Sequence, residues 1–448
     1  MYNSKYKNAL SIIPDFAETA EICVDEKADI FSKITAYVTA PVLYSYVLWT
    51  LKQAQNLNLN KLWFLARDGH ILYNIAKILC DKYNIPIECH YYYCSRMALR
   101  MPVYHLMGDS AYDMLLIRGA SLTPDHVLKR LNLNDNECNL IYNEINFPLS
   151  NSNKILSRSE FSAFSDKIRK SKVFSSFLKE KSTSALKNAI SYAQQEGLFD
   201  EEHIGIVDSG WNGSMQNSLH ILLEYAGKPA PKITGFYFGL YSPPEKKAGD
   251  WFTWYFAPNS SPKQILKFNN NVYECMCYAP HGTVMGYEKK DNKKIIPICK
   301  ELKNIDLHNA EIAKKQEKIC IEFANKISDK SDFNSFELKD LHKMSTLLLQ
   351  QFMFNPDKEE ALAFSEFLFC DDLGEHYFFP LVQENQENVL KNCLFLKRIK
   401  RFFLRNKEIN PDPFWIYGSL NCSNIKLKSW YRKNFYLWDL IRLYNRRK

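Results

Sequence analysis

Short apolar runs alternate with amphipathic stretches through the middle of the chain, and this alternation constrains the fold most strongly. The runs at residues 61–66 (KLWFLA), 87–93 (IECHYYY), 203–207 (HIGIV) and 233–241 (ITGFYFGLY) have the length and composition of strands. Segments of helical period follow the first and third runs. Strands and helices that alternate at this spacing are typical of a parallel sheet covered by helices. The sequence therefore predicts an α/β fold with a parallel, layered sheet.

The rest of the chain divides into a helical region and a basic tail. Residues 253–287 are rich in turns, whereas residues 302–373 carry apolar side chains at helical spacing. The most apolar stretch, residues 34–51, contains Pro41 and several hydroxyl groups, which favours a core helix over a membrane span. We expect an α/β catalytic domain over residues 1–290, a helical region over 291–390 and a basic aromatic segment over 391–448.

Positive charge is concentrated in the basic aromatic segment. Residues 391–448 carry a net charge of +12, whereas the whole chain carries +8. The first 390 residues therefore have a net charge of −4. The apolar surface is predicted to come from Trp430, Tyr431, Phe435, Trp438 and Ile441 to Leu443, and the charge from Arg432, Lys433, Arg442, Arg446 and Arg447. An anionic membrane surface and packing on the protein body explain this composition equally well. A partner protein is a further alternative, and RNA is disfavoured because no RNA-binding motif accompanies the charge.

The first predicted strand ends in a turn that carries charged residues. Arg67 is a planar donor suited to phosphate oxygens, and Asp68 could hold a sugar hydroxyl or a metal ion. Gly69 would let the backbone approach a ligand closely. Because ligands of parallel α/β sheets bind at the carboxyl ends of strands, this turn is a candidate binding loop. The alternative is an ordinary strand-to-helix turn in which Asp68 caps the helix.

A second candidate loop follows the third predicted strand, where three of the 15 glycines of the chain fall within GIVDSGWNG. Asp208 at the strand end is placed for ribose hydroxyls or Mg²⁺. The turn after it could wrap backbone amides round a phosphate, with further donors from Ser209, Asn212 and Ser214. The alternative is a tight turn whose Trp211 packs into the core. The segment lacks a Walker lysine and the GxGxxG spacing, which argues against a nucleoside triphosphatase or a dinucleotide enzyme.

Two further segments carry candidate site residues, and the first of them would point to the same sheet edge as Arg67. Ser95 and Arg96 follow the second strand, and Arg96 would join Arg67 as a second guanidinium for a doubly charged group such as pyrophosphate. Glu274 and His281 lie in a later turn, and either could act as general base toward an acceptor hydroxyl. The alternatives are a surface ion pair for the arginine and structural roles for the acid and the histidine.

The motifs FLARDG, YYCSR and VDSGWNGSMQ together resemble the glycosyltransferase module of bacterial dual-domain ribofuranosyltransferases. In that family a glycan phosphoribosyltransferase, whose donor is phosphoribosyl pyrophosphate, is joined to a phosphatase of the haloacid dehalogenase type. The resemblance covers about residues 30–287 and, more weakly, NPDKEEALAF from Asn355. It implies transfer of 5-phosphoribosyl to a glycan hydroxyl, with release of pyrophosphate, in the synthesis of O-antigen or capsule. A separate phosphatase would then remove the 5-phosphate.

The donor that the resemblance implies suggests roles for the candidate residues. The catalytic candidates are Asp68, Glu274 and His281, and Mg²⁺ would be bound by Asp208 and Asp68. The implied donor-binding residues are Arg67, Gly69, Ser95, Arg96, Asp208, Ser209, Gly210, Trp211, Asn212, Gly213, Ser214 and Gln216.

Two positions depart from related enzymes. Ala66 stands where a dehalogenase-type phosphatase has its aspartate nucleophile, so we expect no phosphatase site here. Asp208 is followed by Ser209, whereas ordinary phosphoribosyltransferases have two adjacent acids before this loop.

The expected setting is the cytoplasmic face of the bacterial inner membrane. The chain has 12 cysteines but no CxxC pair, which fits free thiols in a reducing cytoplasm. The expected partners are phosphoribosyl pyrophosphate, a lipid-linked glycan acceptor and an anionic membrane surface, with no nucleic acid. Two alternatives remain open: a glycosyltransferase with a nucleotide sugar or another phosphosugar donor, and a non-catalytic phosphosugar-binding scaffold that recruits a phosphatase.

Overall fold

The computed structural model describes residues 3–116, 123–226, 229–291, 293–369, 378–382, 387–404 and 412–447. Its helices are α1 (Asn3–Leu10), α2 (Pro14–Cys23), α3 (Ile30–Ile34), α4 (Ala40–Asn56), α5 (Gly69–Lys82), α6 (Arg96–Arg100), α7 (Asp109–Leu115), α8 (Pro124–Lys129), α9 (Asp135–Glu144), α10 (Arg158–Lys170), α11 (Lys172–Gln195), α12 (Ser214–Glu224), α13 (Pro262–Leu266), α14 (Asn270–Met276), α15 (Asn304–Lys330), α16 (Leu338–Leu349), α17 (Lys358–Phe364), α18 (Glu387–Asn392), α19 (Phe395–Leu404), α20 (Ile416–Cys422) and α21 (Lys428–Arg447). Its strands are β1 (Lys61–Leu65), β2 (Glu88–Tyr92), β3 (His203–Trp211), β4 (Lys232–Leu240), β5 (Asp250–Phe256), β6 (Val284–Lys289), β7 (Ile295–Cys299), β8 (Leu368–Phe369) and β9 (Phe379–Pro380).

The first five strands form one sheet in the order β2-β1-β3-β4-β5, and all of its pairings are parallel. The predicted α/β class with a parallel sheet is thereby confirmed. β5 begins before residues 253–287, which the sequence predicts to be rich in turns, and runs into them, so the sequence prediction missed this strand. This strand order is one of the two common orders of doubly wound sheets, and its direction reverses between β1 and β3.

Alternate side chains of the central strands enter two different cores, because successive residues of a strand point to opposite faces. Leu62 and Phe64 of β1 belong to the larger core, whereas Trp63 and Leu65 belong to the smaller one. Helices α4, α5 and α15 pack together on the larger-core side, and α6, α11 and α12 cover the other. The sheet is therefore the middle layer of three.

β3 is longer than the sequence predicts. It continues from His203 to Trp211, and its outer part pairs with β4 through Trp211 and Leu240. The prediction that a loop starts at Ser209 was therefore wrong, and only Asn212 and Gly213 separate β3 from α12. The sequence could not show this because pairing of Gly210 and Trp211 with Gly239 and Leu240 of β4, rather than local composition, keeps this segment in the sheet.

The apolar stretch near the N-terminus is a core helix, as the sequence predicts. α3 and α4 are joined by a π-helical turn at Thr35–Thr39. The resulting stretch, Ile30–Asn56, is long and apolar enough to cross a membrane, yet its most apolar window is entirely buried within the protein.

The larger core extends beyond the sheet to both ends of the chain. It contains Tyr6 of α1, Phe323 of α15 and Phe435 of α21, so all three predicted segments contribute side chains to it. The domain boundaries at 290 and 390 stay a prediction. A separate core at residues 101–178 holds together the helices inserted between β2 and β3. Within the predicted helical and basic segments, residues 292, 370–377, 383–386, 405–411 and 448 lie outside the described residues, as do the side chains of Arg446 and Arg447.

Candidate active site

A crevice opens between β1 and β3 at the carboxyl edge of the sheet. β1 pairs with β3 only as far as Phe64 and Val207. Beyond that point the segment after β1 stays beside β2, since Ala66 N donates a hydrogen bond of 3.0 Å to Tyr92 O. β3 instead continues beside β4. β1 and β3 therefore diverge where the strand order reverses direction, which is the usual ligand position in doubly wound sheets.

Asp68 occupies the N-cap position of α5, but its carboxylate makes no capping hydrogen bond. It lies close to Ser209 of β3 instead. Burial raises the pKa of Asp68, whereas the Ser209 hydroxyl and the charges of Arg67 and Arg96 lower it. The Ser209 hydroxyl is buried and forms no hydrogen bond of ordinary length with the described residues. The capping role that was the alternative for Asp68 is therefore not observed, and two polar groups at the crevice have capacity for a ligand.

Asp208 belongs to β3 and is buried beneath the crevice. Its backbone carbonyl accepts a hydrogen bond of 2.9 Å from Tyr46 Oη of the core helix, which fixes the strand at this residue. Burial and the nearby Asp68 charge raise the pKa of Asp208 to about 8. The Ser209 amide and the Arg96 charge act in the opposite direction and only partly offset this rise. Asp208 is therefore largely protonated at neutral pH in the absence of a cation.

Glu274 reaches the same crevice from α14. Trp211 Nε1 donates a hydrogen bond of 2.7 Å to Glu274 Oε1. Burial and the Asp68 charge raise the pKa of Glu274 to about 7, whereas the Trp211 hydrogen bond lowers it. α14 is held in place by Gln316 Nε2, which donates to two carbonyl oxygens near the end of α14 at 3.1 and 2.8 Å. Glu274 is thus a firmly positioned carboxyl group that titrates near neutrality.

His281 lies nearby, but both of its ring nitrogens have partners. Nδ1 is 2.9 Å from Gly282 O, and Nε2 is 2.6 Å from Tyr91 Oη. Because a carbonyl oxygen can only accept, Nδ1 carries the proton and Nε2 accepts from the Tyr91 hydroxyl. Burial lowers the pKa of His281 to about 4. The neutral ring therefore has no lone pair available for an acceptor hydroxyl.

Arg67 and Arg96 both supply positive charge near the acids of the crevice. Both charges lower the pKa of Asp68 and of Glu274, which places the two guanidinium groups near the same acids. The Arg67 guanidinium lies over the ring of Tyr278 at 5.4 Å. Arg96 is exposed at the start of α6.

Arg100 is a third cation of this region that the sequence analysis did not identify. Its Nε donates a hydrogen bond of 3.0 Å to Ser218 Oγ in the second turn of α12. Burial lowers the pKa of Arg100, and the Arg96 charge adds to this effect. The i, i+4 spacing of Arg96 and Arg100 was the signal available in the sequence, since residues so spaced share one helix face.

The glycines of the second candidate loop are required by packing. Gly210 and Gly213 have φ values of +112° and +58°, which favour glycine. A Cβ atom on Gly210 would lie 2.3 Å from Gly239 O, and one on Gly213 would lie 2.6 Å from Pro244 N. α12 begins at Ser214 without a side-chain cap, so amides of its first turn are donors for an anion. The glycine cluster thus needs no ligand to explain it, while the helix terminus that follows suits a phosphate.

Three predicted site residues have structural roles, and a fourth, Asn212, makes one hydrogen bond at the surface. Gly69 lets α5 approach β1, because a Cβ atom there would lie 2.9 Å from the Phe64 carbonyl carbon. The Ser95 hydroxyl caps α6 and donates to a carbonyl of β6 at 2.5 Å. Gln216 is buried, donating to two carbonyls at the start of β5 and accepting from a tyrosine of β4. Asn212 is exposed and accepts from a serine hydroxyl at 3.0 Å.

Within the residues that the structure describes, no three His, Cys, Asp or Glu side chains are grouped so that they could hold a metal ion. Asp68 and Asp208 are close enough for the charge of one to raise the pKa of the other. A pair of acids suits Mg²⁺, which proteins bind through one or two carboxylates together with substrate phosphates. The predicted ligands therefore fit an ion that arrives with a phosphorylated substrate.

Comparison with protein-family models finds no match for this chain, and a search of curated proteins finds none at significant similarity. The functional assignment therefore depends on the residues of the crevice and on the motif resemblance.

Proposed function

We propose that this protein is a glycan phosphoribosyltransferase. It transfers 5-phosphoribosyl from phosphoribosyl pyrophosphate to a glycan hydroxyl, with release of pyrophosphate, during synthesis of a bacterial surface polysaccharide. The resemblance of FLARDG, YYCSR and VDSGWNGSMQ to the ribofuranosyltransferases supports the donor. The acids and guanidinium groups at the strand switch point support a charged phosphosugar as the ligand.

The observation that carries this proposal is the environment of Asp68. A carboxylate at an N-cap position ordinarily accepts from the first turn of its helix, and this one does not. It lies instead near Arg67 and Arg96, whose charges lower its pKa, and near the buried hydroxyl of Ser209, which has no hydrogen-bond partner of ordinary length among the described residues. Such an arrangement costs folding stability, so a ligand that uses these groups is the economical explanation.

The phosphate groups of the donor match two positive regions. Arg67 and Arg96 would bind the pyrophosphate, since planar guanidinium groups pair well with phosphate oxygens. The amides at the start of α12, from Ser214 onward, would bind the 5-phosphate. Anchoring the remote phosphate orients the reacting carbon and supplies binding energy to the chemical step.

Glu274 is the best candidate for the general base. Its pKa of about 7 is suited to accepting a proton at cytoplasmic pH, and its Oε1 is positioned by Trp211. In the reaction, the bond from the acceptor oxygen to C1 forms while the bond from C1 to pyrophosphate breaks. The acceptor proton passes to Glu274, and pyrophosphate leaves with the bonding electrons. His281 is unsuited because its ring nitrogens are occupied.

Asp68 and Asp208 would hold Mg²⁺ when it enters with the donor. The ion would neutralise charge on the departing pyrophosphate. Its approach would also favour ionised Asp208, whose pKa of about 8 otherwise keeps the group protonated.

Titration calorimetry with phosphoribosyl pyrophosphate and Mg²⁺, run against a panel of nucleotide sugars, tests the donor. We expect saturable micromolar binding that Asp208→Asn and Arg67→Ala abolish. Arg169→Ala is the matched control, because Arg169 pairs with Asp113 on the inserted helices. Binding of a nucleotide sugar alone would overturn the ribosyl donor. Donor binding without pyrophosphate release in the presence of lipid-linked glycan would favour the non-catalytic scaffold.

A further inference from the structure

The C-terminal helix α21 has a second apolar face that contributes nothing to the core. Trp430, Leu437, Ile441 and Tyr444 are 49, 44, 37 and 62% exposed. They follow one another at intervals of seven, four and three residues, so they line one side of the helix. We call these four residues the outer stripe. From end to end it runs about 21 Å along the helix.

The opposite face of α21 attaches the helix to the protein. Tyr431, Phe435 and Leu443 are buried in the larger core. Arg432 Nη2 donates a hydrogen bond of 2.8 Å to Asn421 Oδ1 of α20. The packing predicted for Tyr431 and Phe435 is therefore observed, but it accounts for only one face. The outer stripe needs another explanation.

The helices α19 and α21, which pack against each other, are both cationic. Lys433 of α21 and Lys397 and Lys400 of the neighbouring α19 are exposed. The sequence of α19 contains no acidic residue, and that of α21 contains only Asp439. The Asp439 carboxylate is 3.9 Å from the buried guanidinium of Arg398, so it is paired within the protein. Nothing on α19 or α21 offsets the exposed lysines.

We propose that the outer stripe and these lysines form a docking surface for an anionic membrane. Tryptophan and tyrosine are favoured at the boundary between lipid headgroups and hydrocarbon, and leucine and isoleucine enter the apolar layer beneath. Lysines beside such a stripe are attracted to anionic headgroups. Contact between two copies of this surface is disfavoured, because like charges would meet with no exposed carboxylate on α19 or α21 to pair them. The proposal does not depend on which sugar donor the enzyme uses.

Sedimentation of the full chain with phospholipid vesicles tests this surface. We expect binding to phosphatidylcholine vesicles that contain about 30% phosphatidylserine, little binding to pure phosphatidylcholine, and weaker binding as salt increases. The double variant Leu437→Gln/Ile441→Gln should reduce binding at least about tenfold, because two apolar contacts are lost. Lys397→Glu/Lys400→Glu/Lys433→Glu should reduce it as much without changing the apolar residues.

The control variant is Leu140→Gln/Ile155→Gln, which replaces two apolar side chains exposed in the inserted region. It should bind vesicles like the unaltered chain. Absence of vesicle binding, or unchanged binding by both the Leu437→Gln/Ile441→Gln variant and the lysine variant, would overturn the proposal. The proposal would also be overturned if the unaltered chain were a dimer that does not bind vesicles and Leu437→Gln/Ile441→Gln converted this dimer to a monomer. Donor binding, measured separately, distinguishes failure of this proposal from failure of the proposed activity.

Discussion

The indole of Trp211 donates a hydrogen bond of 2.7 Å to the carboxylate of Glu274, and this contact joins two segments 63 residues apart in the chain. The indole also packs against Phe268, with ring centroids 5.4 Å apart. Trp211 therefore serves the core and the crevice at once. The alternative in which it only packs into the core is incomplete.

We predict that Trp211→Phe raises the pKa of Glu274, because the hydrogen bond from the indole lowers that pKa. If Glu274 is the base, the acidic limb of the pH–rate profile should move to higher pH. Unfolding free energy should fall by about 1 kcal/mol, since most of the ring packing is kept. A profile that does not move would show that Glu274 is not the group that titrates in the reaction.

Glu274→Gln should reduce transfer by about a hundredfold or more while leaving donor affinity nearly unchanged, because general-base catalysis contributes on that scale. His281→Gln should reduce transfer only severalfold, since the His281 lone pair is occupied by Tyr91. Steady-state kinetics on both variants, together with calorimetry, separate these outcomes. The opposite ranking would assign the proton transfer to His281.

Asp208→Asn should stabilise the protein at alkaline pH. The pKa of Asp208 rises from 3.8 to about 8 on folding, so its stabilising contribution is complete below pH 4 and is lost as pH rises through 8. The neutral amide avoids that loss, so the stability advantage of the variant should grow by about 3 kcal/mol between pH 6 and pH 9, two pKa units at about 1.4 kcal/mol each. Urea unfolding at pH 6 and pH 9 measures the effect, and an advantage that does not change between the two would contradict the raised pKa.

Arg96→Ala should weaken binding of inorganic pyrophosphate about ten- to hundredfold, the loss expected for one charge-assisted contact. Arg100→Lys keeps the charge but breaks the Nε hydrogen bond to Ser218, so it should weaken binding less. Titrations at low and high salt check both variants. Equal affinities for the unaltered chain and Arg96→Ala would remove Arg96 from the donor site.

Gly213→Ala should destabilise the fold by about 1–3 kcal/mol, because the residue has a positive φ and its Cβ atom would meet Pro244. Gly210→Ala should cost at least as much. Gly286→Ala is the matched control: nothing lies within 4 Å of its Cβ position, and the change should stay within about 0.5 kcal/mol. Thermal and urea unfolding measure all three, and a neutral Gly213→Ala would contradict the packing explanation of this glycine.

The sequence alone determined four of the five strands of the sheet and the edge on which the candidate site lies. Runs such as KLWFLA and HIGIV are strands because their apolar side chains suit two buried faces, and helices between them force parallel pairing. Parallel strands bring their carboxyl ends to one edge, so Arg67, Asp68 and Asp208 could be placed together before any contact was known.

Only the tertiary structure decided what each polar group does at that edge. Gln216 and Ser95 belong to binding motifs by sequence, yet β4, β5 and β6 use their hydrogen bonds. Glu274 and His281 could not be ranked until Trp211 and Tyr91 were found beside them. A local pattern fixes backbone conformation because neighbouring residues determine it, whereas protonation and hydrogen bonding depend on groups that meet only after the chain has folded.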